Sequence, residues 1–226
     1  MNKDLSNRTL GIIHAAVFTS QTVQKYLDEI LPGVSVMHSG DDTVQRDNSA
    51  AEVGTIPKGN YFKFATLAHF LEDAGADLIM LACSTFNRAV EYAEPMINTP
   101  LLQIDRPMMD LAVAQGRRIG LLATLPSTVP SSERLLRNAA TDAGREIEIE
   151  TVLSSEAFKV LRAGDPDKHN EILLEEIDSL SQRTDAIVMA QVSMSVLEPH
   201  LTNTRVPVYN SGRTGFEHAR SLLEQM

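Results

Sequence analysis

One thiol and a scatter of hydroxyl residues hold the reactive chemistry of this sequence. Cys83, its single cysteine, closes the apolar run Leu78 to Cys83 and is followed at once by Ser84 and Thr85. A thiol between a strand and a helix can be activated, because backbone amides and the positive end of a helix dipole favour thiolate. A lone cysteine serves equally well as a small buried hydrophobe. Ser84, Thr85, Thr124, Ser127, Thr128 and Ser193 could, with neighbouring amides, hold a carboxylate without any basic side chain. They could also cap helices, since both uses draw on the same amides. His14 ends an early apolar run, where it could act as a base or a hydrogen-bond donor, or simply be a satisfied strand-end histidine. Asp41 and Asp42 could meet a cation or a hydroxyl, or merely form a turn.

Other chemistries are poorly served. The six histidines include no pair at i, i+4 and no Cys or carboxylate partner at metal spacing, so no protein-bound metal is expected. GxGxxG, GxxxxGKS/T and GxSxG are all absent, which removes the usual glycine devices for dinucleotides, a P-loop and a serine-hydrolase elbow. With 30 acidic against 20 basic side chains the formal charge is −10, and Arg117–Arg118 is the only adjacent basic pair. Nucleic acid is therefore not an expected partner, because phosphate binding needs a clustered basic surface. The apolar runs are far shorter than the roughly 20 residues of a bilayer span, and the start MNKDLSNRTL lacks the pattern of a secretory signal. A cytoplasmic protein without a membrane partner is expected.

The elements that must position these residues follow from the hydrophobic pattern. Short, often β-branched runs alternate with segments of helical period, the signature of α/β architecture with parallel strands. Strands are predicted at 10–14, 34–38, 78–82, 101–104, 119–123, 147–152, 187–190 and 206–209. A helix over 60–75 would bury Phe64, Leu67, Ala68, Leu71 and Ala74, and Asp165-Pro166 starts another. At 226 residues the chain suits one large domain or two small ones.

An internal repeat favours two. At an offset of 107 to 109 residues, LGIIHAAVFT (10–19) falls on IGLLATLPST (119–128), DLIMLACST (77–85) on DAIVMAQVS (185–193), and TPLLQ (99–103) on VPVYN (206–210). Two similar βα lobes are expected, 1–116 and 117–226, related by pseudo-twofold symmetry with a cleft between them. In open α/β sheets ligands sit beyond the carboxyl ends of the strands, which is where all the hydroxyl-rich loops fall.

With GIIHA, DLIMLACST, RRIGLLATLPSTVPSS and DAIVMAQVSMS, the chain resembles the aspartate/glutamate racemase superfamily, which includes hydantoin racemases, maleate isomerases and arylmalonate decarboxylases. The resemblance covers essentially the whole sequence. It implies two α/β lobes enclosing a small carboxylate, with two cysteines moving a proton at its α-carbon, no cofactor and a homodimer. Cys83 matches the first cysteine, and Gln191 stands where the second belongs. Thr85, Thr124 and Thr128 match carboxylate-binding positions, and Ser193 lies on the hydroxyl-bearing loop of the second half.

A carboxamide neither takes nor gives a proton near neutral pH, so symmetric two-thiol racemisation is not implied. Cys83 could act alone, with Gln191 orienting the substrate or stabilising an enolate, in one-sided isomerisation or decarboxylation. His14 or another group could supply the second acid. Cys83 could add covalently to an electron-poor substrate. A non-catalytic carboxylate-binding protein is the alternative of another class.

Overall fold

A computed structural model describes residues 3–226 and contains two compact units. The first runs in the order β1 (Thr9–His14), α1 (Thr19–Ile30), β2 (Ser35–Gly40), α2 (Asp42–Ala50), α3 (Lys58–Asp73), β3 (Leu78–Leu81), α4 (Ala89–Ala93) and β4 (Leu101–Gln103). The second runs α5 (Arg106–Gln115), β5 (Arg118–Ala123), α6 (Thr128–Asp142), β6 (Glu148–Leu153), α7 (Ser155–Arg162), α8 (Pro166–Ser181), β7 (Ala186–Met189), a 3-10 run over Val192–His200 and β8 (Val208–Asn210). Helix α9 (Ser211–Gln225) follows.

The fold is α/β, and the two units repeat one plan. Each holds a four-stranded, wholly parallel sheet, ordered β2-β1-β3-β4 in one and β6-β5-β7-β8 in the other. All eight strands lie where the apolar runs predict them. The inner strands β3 and β7 are buried at every residue, which is why they read as unbroken apolar runs, whereas β2 and β6 are partly exposed edges. The matched aspartates do matched work. Asp77 accepts from the backbone N–H of Thr9 at 2.7 Å, and Asp185 from those of Arg117 and Arg118 at 2.8 Å each, so each tethers the start of the central strand.

Helix α3 buries Phe64, Ala68 and Leu71 against Ile13, Ile79, Leu81 and Phe86 to build the first core. In the second unit, Leu135, Leu136 and Ala139 of α6 cover one side of β5 and β7, while Leu173, Ile177 and Leu180 of α8 cover the other. Among the described residues no helix is long and apolar enough to cross a membrane.

The division differs from the expected 116/117. The first unit comprises Met1–Ile104 with Gly212–Met226, and the second Asp105–Ser211. Helix α5 joins the second unit because its apolar face, Met108, Met109, Ala112 and Val113, packs with Ile119, Leu121 and Val188. Helix α9 returns to the first, where Phe216 stacks on the buried Tyr26 with ring centroids 5.8 Å apart and Arg213 grips Glu29 through two 3.0 Å bonds. Glycine at 212 permits this approach, since a Cβ there would stand 2.2 Å from the Tyr26 ring.

Candidate active site

The candidate residues fall into two groups, one at the carboxyl end of each sheet. In the first unit β1 and β3 are neighbours, and the amide of Ala82 donates to the Ile13 carbonyl at 3.0 Å, which carries the ladder one residue past β3. Cys83 is the next residue. Its side chain is half-buried against the first core, and the loop is pinned there by Phe86, which is 1% exposed. Ser84 is buried beside it and Thr85 half-buried. The helix expected after Thr85 starts only at Ala89 and has five residues, too far off and too short for its dipole to act strongly on the thiol. Two amide residues that the sequence did not single out brace the loop: Gln103, at the end of β4, donates from Nε2 to the carbonyl of buried Asn87 at 2.8 Å.

His14 ends β1 and is 2% exposed. The Thr19 hydroxyl donates to the Ala16 carbonyl at 2.7 Å, so it accepts from Nδ1–H of His14, 2.9 Å away. The other ring nitrogen, Nε2, then accepts from Nδ1–H of His38 at 2.9 Å. Burial, reinforced by His38, pushes the His14 pKa down to about 4. Both nitrogens are engaged in a neutral ring, an arrangement that fits the satisfied strand-end histidine among its two readings. Asp41 and Asp42 turn out structural: Asp41 caps α2 through the Thr43 amide at 2.8 Å, and Asp42 accepts from the Val17 amide at 2.8 Å. Hydrogen bonds from Thr43 hold the Asp41 carboxyl below the usual carboxylate range.

The second unit assembles Thr124, Thr128, Gln191 and Ser193 on the loops leaving its own two central strands. The amide of Ala190 donates to Leu122 at 2.9 Å, and Gln191 follows, as Cys83 follows Ala82. Its Oε1 accepts from the backbone N–H of Thr124 at 2.7 Å and from the Thr124 hydroxyl at 3.0 Å. A backbone N–H can only donate, so the near atom is the amide oxygen and Nε2 points away from Thr124. Among the described residues Nε2 has no protein partner. The donors on Thr124 that were expected to hold a carboxylate therefore hold the carboxamide. Thr128, 1% exposed, begins α6 a turn later, and Ser193 is exposed two residues after Gln191.

A family model, Asp/Glu/Hydantoin racemase, matches residues 16–219. A hydantoin racemase from Rhizobium meliloti is 27% identical over 155 residues, which is 67% of this chain and 62% of that protein, so this match spans less than two thirds of its relative. A glutamate racemase from Listeria monocytogenes serotype 4a (strain HCC23) is 23% identical over 227 residues, covering 96% of this chain and 82% of its own. The fold is shared with an aspartate racemase homologue from Pyrococcus horikoshii OT3, with a TM-score of 0.74 at 16% identity over 96% of this chain and 99% of that one.

Proposed function

We infer the function from one premise: the chain belongs to the Asp/Glu/Hydantoin racemase family. It acts, in our proposal, as a cofactor-independent isomerase at the carbon next to the carboxylate of a small amino acid or dicarboxylate-like substrate. Cys83 is the acid/base. As thiolate it takes the α-proton, the electron pair left behind delocalises into the adjacent carbonyl as an enolate, and, once the planar enolate has turned its other face to Cys83, the same thiol returns the proton there. Ser84, Thr85, Thr128, Gln191 and Ser193 are assigned to the substrate, and Thr124 acts through the Gln191 carboxamide that it holds.

The observation that carries this reading is the orientation of Gln191. With its oxygen committed to Thr124, the residue offers only N–H donors from Nε2. A donor cannot abstract a proton from carbon, but it can stabilise the negative charge that develops on an enolate oxygen. His14, neutral and engaged at both nitrogens, plays no part in the transfer. Proton transfer is therefore one-sided. The same fact favours a second reading, decarboxylation of a substituted malonate, in which carbon dioxide leaves, the remaining enolate rests on the same donors, and Cys83 protonates it from one face.

Incubation with amino acids, hydantoins, maleate and substituted malonates in heavy water, followed by mass spectrometry, tests both readings. Deuterium at the α-carbon of a recovered substrate supports the first, and a deuterated decarboxylation product supports the second. Carboxylate binding without exchange or turnover throughout the panel would mark a non-catalytic binding protein and overturn both.

A further inference from the structure

One difference between the two repeats, at the ends of α3 and α8, lies beside a cavity. Gly11 and Gly120 are matched residues of β1 and β5. A Cβ on Gly11 would meet Leu71 at 3.0 Å, and one on Gly120 would meet Leu180 at 3.4 Å. Leu71 and Leu180 are thus equivalent, and so are the residues after them, Glu72 and Ser181. The match of TPLLQ to VPVYN likewise pairs Asn98 with Arg205 and Thr99 with Val206.

In the first unit this region is locked by a carboxylate. Glu72 Oε2 accepts from the amides of Asn98 at 2.6 Å and Thr99 at 2.7 Å, and Oε1 lies 3.4 Å from Asn98 Nδ2. In the second unit Ser181 is too short to reach across, and its hydroxyl turns back to the Asp178 carbonyl at 2.7 Å. A cavity of about 330 Å³ lies there, between Leu174, Ile177, Asp178 and Ser181 of α8 and the Leu201–Arg205 segment. Among the described residues, Arg205 has no carboxylate partner and the Asp178 carboxylate has no cation.

We propose that this cavity binds a small α-amino acid with an aliphatic side chain, at a site separate from the Cys83 and Gln191 loops. The ligand carboxylate takes the place that Glu72 fills in the first repeat, held by the Arg205 guanidinium and the amides that follow Leu201. Its ammonium group pairs with Asp178, and its side chain lies on Leu174, Ile177 and Leu201. A guanidinium and a carboxylate that line one cavity without pairing suit a zwitterion better than a simple anion, and the volume lies within the range of small-molecule sites.

Amide-resolved NMR titration of the full chain tests this, with D-leucine and L-leucine as probes and isocaproate, which lacks the amino group, as comparison. Leucine should shift amides at 174–181 and 200–206, and isocaproate should bind at least tenfold more weakly. Arg205→Ala, a change at an exposed residue, should weaken leucine at least tenfold. Ser181→Glu should rebuild the carboxylate lock and abolish binding with the rest of the spectrum unchanged. No shift in these segments, equal binding of isocaproate, or undiminished affinity in both variants would overturn the proposal.

Discussion

Nε2 of His14 lies 2.9 Å from Nδ1 of His38, and this contact, with Thr19 on the other side, seals a neutral imidazole beneath the first sheet end. The consequence is a pH-dependent stability of predictable sign. The unfolded chain binds a proton on His14 near pH 6.5, whereas the folded chain resists it until about pH 4. Stability contributed here is complete above pH 6.5 and falls as pH drops toward 4, by about 3 kcal/mol in all. Urea unfolding from pH 7 to pH 4 should show wild type losing that much relative to His14→Asn. A constant difference between the two proteins would contradict the burial argument.

Cys83→Ala should leave the fold intact, since the thiol is only half-buried and its loop is anchored by Phe86. Solvent exchange or turnover should fall far more than tenfold. A residual rate above a tenth of wild type, equivalent to less than about 1.4 kcal/mol of transition-state stabilisation, would remove the thiol from the mechanism.

Gln191→Cys returns a thiol to the position that the family resemblance assigns to a second cysteine. With a prochiral substrate the wild type should yield product of one hand, and the variant should yield product of lower enantiomeric excess. The rate will be small, because the new thiol has no supporting shell and a misplacement of about 1 Å can cost two orders of magnitude. Chiral chromatography decides, and a wild type that already gives racemic product would show that a second acid is present.

Gly116→Ala should destabilise the second unit by about 3 kcal/mol. The added Cβ would sit 2.3 Å from Cβ and 2.5 Å from Oδ2 of Asp185, the residue that tethers Arg117 and Arg118. Gly59→Ala, where nothing lies within 4 Å, is the control and should be neutral or slightly stabilising. Thermal unfolding of both variants separates crowding from a general intolerance of alanine.

Strand positions were legible in the sequence because parallel strands buried on both faces leave uninterrupted apolar runs, and the repeat showed that the runs came in two sets. The offset also singled out Gln191. What the residue does was not legible, since its bond to Thr124 depends on β5 and β7 lying side by side. His38 was missed for the same reason: its ring meets His14 only through the pairing of β1 with β2. The division into units was not legible, because nothing local says which core a helix will join: α5 packs into the second unit and α9 into the first. A helix was read after Thr85 from its position after a strand, yet turns run on to Arg88 and set Phe86 into the core before a short helix begins.

The return of α9 also fixes an order of events during synthesis. Residues 105–211 are contiguous, so the second unit can complete its sheet without α9. The first unit cannot, because Tyr26 meets Phe216 and Gly212 only after the whole of the second unit has been made. The unit begun first is therefore completed only after the second, and until α9 arrives its Tyr26 is bare to solvent or chaperone.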